Sequence, residues 1–71
     1  MNKTNVSQLR KKYGLTQQEL ADKSYVTIRT VQRLEAGEDV SLSSLSSIAN
    51  ALSVPISGLF DDIEEKEKEQ E

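Results

Sequence analysis

A chain of 71 residues with neither cysteine nor histidine has room for one small domain and lacks the groups that build disulfide scaffolds, common zinc sites, thiol nucleophiles and imidazole bases. The net charge of −3 is unevenly spread: residues 1–60 carry seven Lys/Arg against five Asp/Glu, and residues 61–71 carry two against seven. A mildly basic body therefore precedes an acidic tail, an asymmetry that permits nucleic-acid binding without requiring it. No apolar run approaches the ~18 residues needed to span a bilayer, and Met1–Val6 has no signal-peptide core, so a soluble protein of the reducing cytoplasm is expected.

In chain order, Val6, Leu9 and Tyr13 are spaced i, i+3, i+7 and form one face of a first helix over residues 5–13. Gly14 supplies its left-handed stop. Thr16-Gln17-Gln18-Glu19 then has the spacing of a capping box, and the second helix runs to Lys23 or Ser24, burying Leu20 and Ala21. Thr27 caps a third helix that buries Val31 and Leu34 and closes at Gly37. Ser41 caps a fourth, whose Leu42, Leu45, Ile48, Ala49 and Leu52 make a continuous apolar stripe with the serines as its solvated face. Pro55 suits the first turn of a short fifth helix burying Ile56, Leu59 and Phe60. The tail, Asp61–Glu71, has too little apolar surface to fold alone, although its Asp62/Lys66 and Glu64/Lys68 pairs would support transient helix. The expected organisation is all-α: a five-helix domain over residues 1–60 and an acidic tail over 61–71.

The second and third helices are short and joined by a tight turn, and Ala21 has no side chain to hold their axes apart, which is the pattern of a helix-turn-helix. On a helical wheel of the third helix, Thr27, Val31 and Leu34 face the core, Ile28 lies on the boundary, and Arg29, Gln32, Arg33 and Ala36 face outward. That outward face has the chemistry of a major-groove reader. Each arginine offers a two-donor fork to guanine O6 and N7 or to phosphate, Gln32 can exchange two hydrogen bonds with adenine, and Ile28 can pack on a thymine methyl. Gln17, at the start of the second helix, can offer its amide to a phosphate.

Leu15-Thr16-Gln17-Gln18-Glu19-Leu20-Ala21, Val26-Thr27, Val31-Gln32-Arg33-Leu34-Glu35-Ala36-Gly37 and Leu45…Ile48-Ala49…Leu52 together resemble the Cro/CI-type (XRE-like) helix-turn-helix family, in order and register over roughly Val6 to Phe60. The resemblance implies a lambda-repressor-like domain, bacterial or phage-encoded, acting as a repressor-type regulator. It further implies a homodimer on a palindromic operator in double-stranded DNA, with residues 28–36 as recognition helix. Carried over by position, Thr27, Ile28, Arg29, Gln32 and Arg33 would meet bases or nearby phosphates and Gln17 the backbone, while Arg10 would pair with Glu35 across helices one and three. Three departures stand out. Ser24-Tyr25 replaces the family's usual Leu-Gly, and tyrosine is either strained there or forces a different turn. Ile28 sits where relatives often carry a polar base-reader. Glu38-Asp39 replaces a basic loop and weakens binding to phosphate.

Other readings of the same residues remain open. Taken alone, Arg29 and Arg33 are ordinary charges on a solvated face, Thr16 and Thr27 are helix caps, and Tyr25 is a lid over the turn. Ile28, Glu38, Asp39 and the acidic tail suit a protein partner, which makes an antitoxin-like or adaptor-like interaction module the competing function. Ile56, Leu59, Phe60 and Ile63 are the candidate dimer surface. Nothing nominates a catalytic group, a metal, a cofactor, a membrane or a small-molecule substrate.

Overall fold

The computed structural model describes residues 4–60. The expectations for Asp61–Glu71, Ile63 included, concern residues outside those described. Among the described residues there are four α-helices and one 3-10 turn, and no strand: α1 (Val6–Lys12), α2 (Gln17–Ser24), α3 (Ile28–Glu35), α4 (Leu42–Ala51) and the turn Ile56–Phe60. Three of the helices start on a hydroxyl cap. Thr16 accepts from the Glu19 amide at 3.0 Å while the Glu19 carboxylate accepts from the Thr16 amide at 2.8 Å, a complete capping box. Thr27 Oγ1 accepts from the Thr30 amide (3.3 Å), and Ser41 Oγ from the Ser44 amide (3.1 Å).

All four α-helices end by one device. A left-handed residue follows the helix; its own amide donates back across three residues and the next amide donates across five, the Schellman arrangement. The long bonds are Leu15 to Arg10 C=O (2.9 Å), Val26 to Ala21 C=O (3.1 Å), Glu38 to Arg33 C=O (2.9 Å) and Val54 to Ala49 C=O (3.0 Å). The left-handed residues are Gly14 (φ 70°), Tyr25 (φ 61°), Gly37 (φ 88°) and Ser53 (φ 61°). Two of the four stops are thus made by glycine, which adopts this conformation freely, and two by residues whose Cβ resists it. Tyr25 takes up the left-handed conformation despite its Cβ and carries the strain. Its ring is 94% exposed, so it does not cover the turn.

The core consists of Val6, Leu20, Ala21, Val31, Leu34, Ile48, Ala49, Leu52 and Leu59. α2 lies at its centre, packed on α3 and α4, with α1 against α3 and the 3-10 turn against α4. The Asn5 amide donates to the Leu59 carbonyl at 2.8 Å and ties the start of α1 to the final turn. Four further expectations are corrected. The fifth element is a 3-10 turn and not an α-helix: it spans five residues and bonds Gly58 N–H to Pro55 C=O at 2.8 Å. Pro55 supplies no amide, and Gly58 is a poor helix former. Tyr13 is half exposed because, as the residue that caps the end of α1, it lies past the last turn that packs on the core. Leu42 is 69% exposed; as the first residue of α4 its Cβ leans toward the N-terminus and projects beyond the packed layer. Thr27 is exposed and lies outside the helical turns as a cap, so it does not face the core.

Candidate nucleic-acid interface

Thr27 and the α2–α3 turn set where the third helix begins, and Val31 and Leu34, both buried, fix which side of it faces inward. The other side is left to solvent: Arg29, Gln32, Arg33 and Ala36 are all exposed. Ile28 is half-buried and packs against the core edge, so only part of its side chain is available to a ligand. The Thr27 hydroxyl is taken up by its capping bond and by a 3.1 Å hydrogen bond with the Thr30 hydroxyl. Arg29, Gln32, Arg33 and Glu38 line an open, shallow depression on this face.

Beneath the face lies a polar network that locks three helices together. Arg10 Nε donates to Glu35 Oε2 at 2.8 Å and Arg10 Nη2 to Glu35 Oε1 at 3.2 Å, a two-pronged pair. Nη1 donates to the Leu15 carbonyl at 3.0 Å, at the end of α1. The two side chains are only 12% and 11% exposed. The hydrogen bond to Glu35 holds the Arg10 guanidinium above its ordinary pKa, with burial pulling the other way and the Glu35 charge adding to the rise. Arg10 and Glu35 thus meet between α1 and α3, below the exposed surface.

The same carboxylate reaches the outward face of α3 through Gln17. Gln17 Nε2 donates to Glu35 Oε1 at 3.0 Å, and Gln17 Oε1 accepts from Gln32 Nε2 at 3.4 Å. Gln17 therefore spends one amide hydrogen inward, which leaves the second for a ligand. The chain Arg10–Glu35–Gln17–Gln32 runs from the interior to the outward face. Its members come from α1, α2 and α3, so the orientation of the exposed side chains is tied to the packing of the domain.

Sequence reasoning missed these Gln17 contacts and a further one at the end of α3. Arg33 Nε donates to Glu38 Oε1 at 3.1 Å, and Arg33 Nη2 donates to the Asp39 carbonyl at 3.1 Å. The carboxylate and the backbone oxygen hold a single edge of the guanidinium. A Glu placed five residues after an Arg, straight after a helix-ending glycine, is the signal that could have revealed it, because the Schellman turn returns that residue to the last turn of the helix. Among the described residues no three His, Cys, Asp or Glu gather as a metal site, and no helix is long and apolar enough to cross a membrane.

Short α2 and α3, joined through a tight turn and with the outward face of α3 bearing arginine and glutamine, make a helix-turn-helix. A helix-turn-helix family model matches residues 6–59. The chain belongs to the Cro/CI-type (XRE-like) helix-turn-helix family. It is a family of DNA-binding regulators and not one of enzymes. No curated protein matches the chain. The matched residues span all four α-helices and end within the final 3-10 turn.

Proposed function

We propose that the chain is a sequence-specific, repressor-type regulator that inserts α3 into the major groove and acts as a homodimer on a palindromic operator in the cytoplasm of a bacterium or the host of a phage. The observation that carries this reading is the outward face of α3: Arg29, Gln32 and Arg33 are exposed side by side on a helix whose inner face is consumed by the core. Arg29 and Arg33 supply forks for guanine or phosphate, and Gln32 supplies an amide for adenine. Ile28 offers its accessible edge to a thymine methyl. The α3 N-terminus at Thr27 and the second amide hydrogen of Gln17 hold the backbone.

Residues 1–60 form the reading domain in this proposal, and the acidic 61–71 segment is a solubilising tail. A dimer places two recognition helices in successive major grooves, with half-sites about 34–36 Å apart. The surface for it is narrower than the sequence suggests, because Leu59 is completely buried. Ile56 and Phe60, both half-buried, remain at the last turn, and Leu42 adds an exposed apolar side chain.

A second reading, an adaptor- or antitoxin-like module of the same fold, is favoured by the exposed Tyr25 and Leu42 and by Glu38 beside Arg33. Selection from a random duplex pool at ~50 mM salt, where weak phosphate contacts are strongest, separates the two. The DNA-reading proposal expects an enriched palindrome that is lost in the double variant Arg29→Ala, Arg33→Ala. Retention of the same motif by that variant refutes reading by these two arginines, and no enrichment by the wild type refutes DNA reading and favours a protein partner.

A further inference from the structure

The end of α3 differs from the other three helix ends in one residue. At the position that donates the long Schellman bond, α1, α2 and α4 carry Leu15, Val26 and Val54, all packed against the core. α3 carries the exposed Glu38 instead. Its backbone amide is fixed to the Arg33 carbonyl at 2.9 Å, and its carboxylate accepts from Nε of the same arginine at 3.1 Å. The backbone thus places the carboxylate beside Arg33 before the side chains meet. An exposed ion pair is ordinarily weak because two long side chains must both be ordered; here one of them is already anchored at its base.

The geometry of the contact matters more than its strength. A guanidinium has five N–H donors distributed over its edges. Arg10 uses all three nitrogens inside the protein, with Glu35 on the Nε and Nη2 edge and Leu15 on Nη1. Arg33 is held on the same Nε and Nη2 edge by Glu38 and the Asp39 carbonyl. Among the described residues no acceptor takes its Nη1. The end of the guanidinium, where Nη1 and Nη2 present parallel donors, is therefore left for a ligand, and Arg33 lines the same depression as Arg29 and Gln32.

We propose that Glu38 is a positioning residue for Arg33, holding the guanidinium by its side edge so that its end-on fork is presented to guanine O6 and N7. The proposal rests on the reading of α3 as a DNA-reading helix and deepens it. Glu38 then has two opposed effects. Its charge lies near the phosphates and weakens binding to DNA of any sequence. Its acceptor removes rotamer freedom from Arg33 before binding, which favours the one geometry that discriminates guanine. Affinity is lowered and selectivity raised by the same side chain.

The test uses the full chain and compares wild type with Glu38→Ala, Glu38→Gln and Arg33→Lys, alone and combined. Selection with wild type and Arg33→Lys first locates the guanine whose preference depends on Arg33, since lysine has no fork. The measured quantity is the ratio of dissociation constants for the selected site and for the same site with that guanine pair replaced by an adenine pair. Glu38→Ala is expected to lower this ratio about fivefold, the effect of one hydrogen bond. It should also tighten binding to random-sequence DNA at low salt. Glu38→Gln removes the charge but keeps an acceptor at the same reach, so random-sequence binding tightens and the ratio stays within about twofold of wild type. In the Arg33→Lys background, Glu38→Ala leaves the ratio unchanged. A ratio that Glu38→Ala does not move overturns the positioning role, as does an equal fall when Arg33 is already replaced. Those outcomes leave DNA reading by α3 intact, whereas a wild type that selects no motif overturns both. The Glu38 side chain is exposed, so thermal melts of its variants matching wild type are expected.

Discussion

Replacing Tyr25 with glycine should stabilise this domain although it removes the largest side chain of the turn. Tyr25 holds φ 61° and ψ 36° at the end of α2, where an L-residue bears a left-handed penalty of roughly 1–2 kcal/mol. Its ring is 94% exposed, so truncation gives up almost no buried apolar area. Glycine returns about 0.4–1 kcal/mol of the gain through the greater freedom of its unfolded chain. The net expectation is about 0.5–1 kcal/mol of added stability, or a rise in melting temperature of roughly 2–8 °C for a domain of this size. Thermal melts followed by circular dichroism would measure it, with urea midpoints checking that the denaturant slope is unchanged. Tyr25→Ala is the control: it removes the ring but keeps the Cβ, so it should show no comparable rise. Tyr25→Asn should fall between the two, because asparagine tolerates the left-handed region. If Tyr25→Gly stabilises no more than Tyr25→Ala, backbone strain is not what this position stores and the reasoning fails.

Ser24 is 2% exposed and its hydroxyl has no hydrogen-bond partner, so Ser24→Ala should raise stability by about 1 kcal/mol, read as a higher urea midpoint. A Cβ added at Gly58 would come within 2.9 Å of Val54 Cβ; Gly58→Ala should therefore lower stability by roughly 1–3 kcal/mol and displace the final turn, visible as amide shift changes around Val54 and Asn5. Glu35→Ala strands Arg10 and Gln17 together and should cost about 2–4 kcal/mol, a large share of the stability of so small a domain. The paired replacement Arg10→Met with Glu35→Leu should retain far more of it than Glu35→Ala alone, and the melting temperatures would show the difference.

What the sequence reveals of the fold depends on which signals are local. The Thr16–Glu19 capping box, the Thr27 and Ser41 caps and the Gly14 and Gly37 stops depend on residues within one turn of each other, and each is present in the structure. The stops at Tyr25 and Ser53 use the same hydrogen bonds without the glycine that would announce them. Here the packing of Val26 and Val54 on the core offsets a local preference. Periodicity likewise identified the apolar stripes but not where they end. Tyr13 and Leu42 fit the spacing and are nonetheless exposed, because each lies at a helix terminus where the stripe runs past its neighbours. On α3, the wheel separates the exposed Arg29, Gln32 and Arg33 from the buried Val31 and Leu34. It cannot show that Glu38 folds back onto Arg33, since that contact is made by a turn and not by a helix.

The two glutamates near the end of α3 bring out how one side-chain chemistry is divided between scaffold and surface. Glu35 and Glu38 each hold an arginine by its Nε, at 2.8 and 3.1 Å. They differ in water: the Arg10–Glu35 side chains are 12% and 11% exposed, those of Arg33–Glu38 are 52% and 56% exposed. Burial makes the first pair costly to break, because removing one partner leaves a charge without solvent or counter-ion. Exposure makes the second pair weak, screened by salt and cheap to exchange. A substitution at Glu35 therefore acts on folding and carries the α1–α2–α3 geometry with it through Arg10 and Gln17. A substitution at Glu38, exposed as it is, should leave the fold in place and act on binding, both through the charge at that position and through what Arg33 presents to a ligand. Position 38 is thus where the binding of this domain can be retuned at little structural cost, and position 35 is where it cannot.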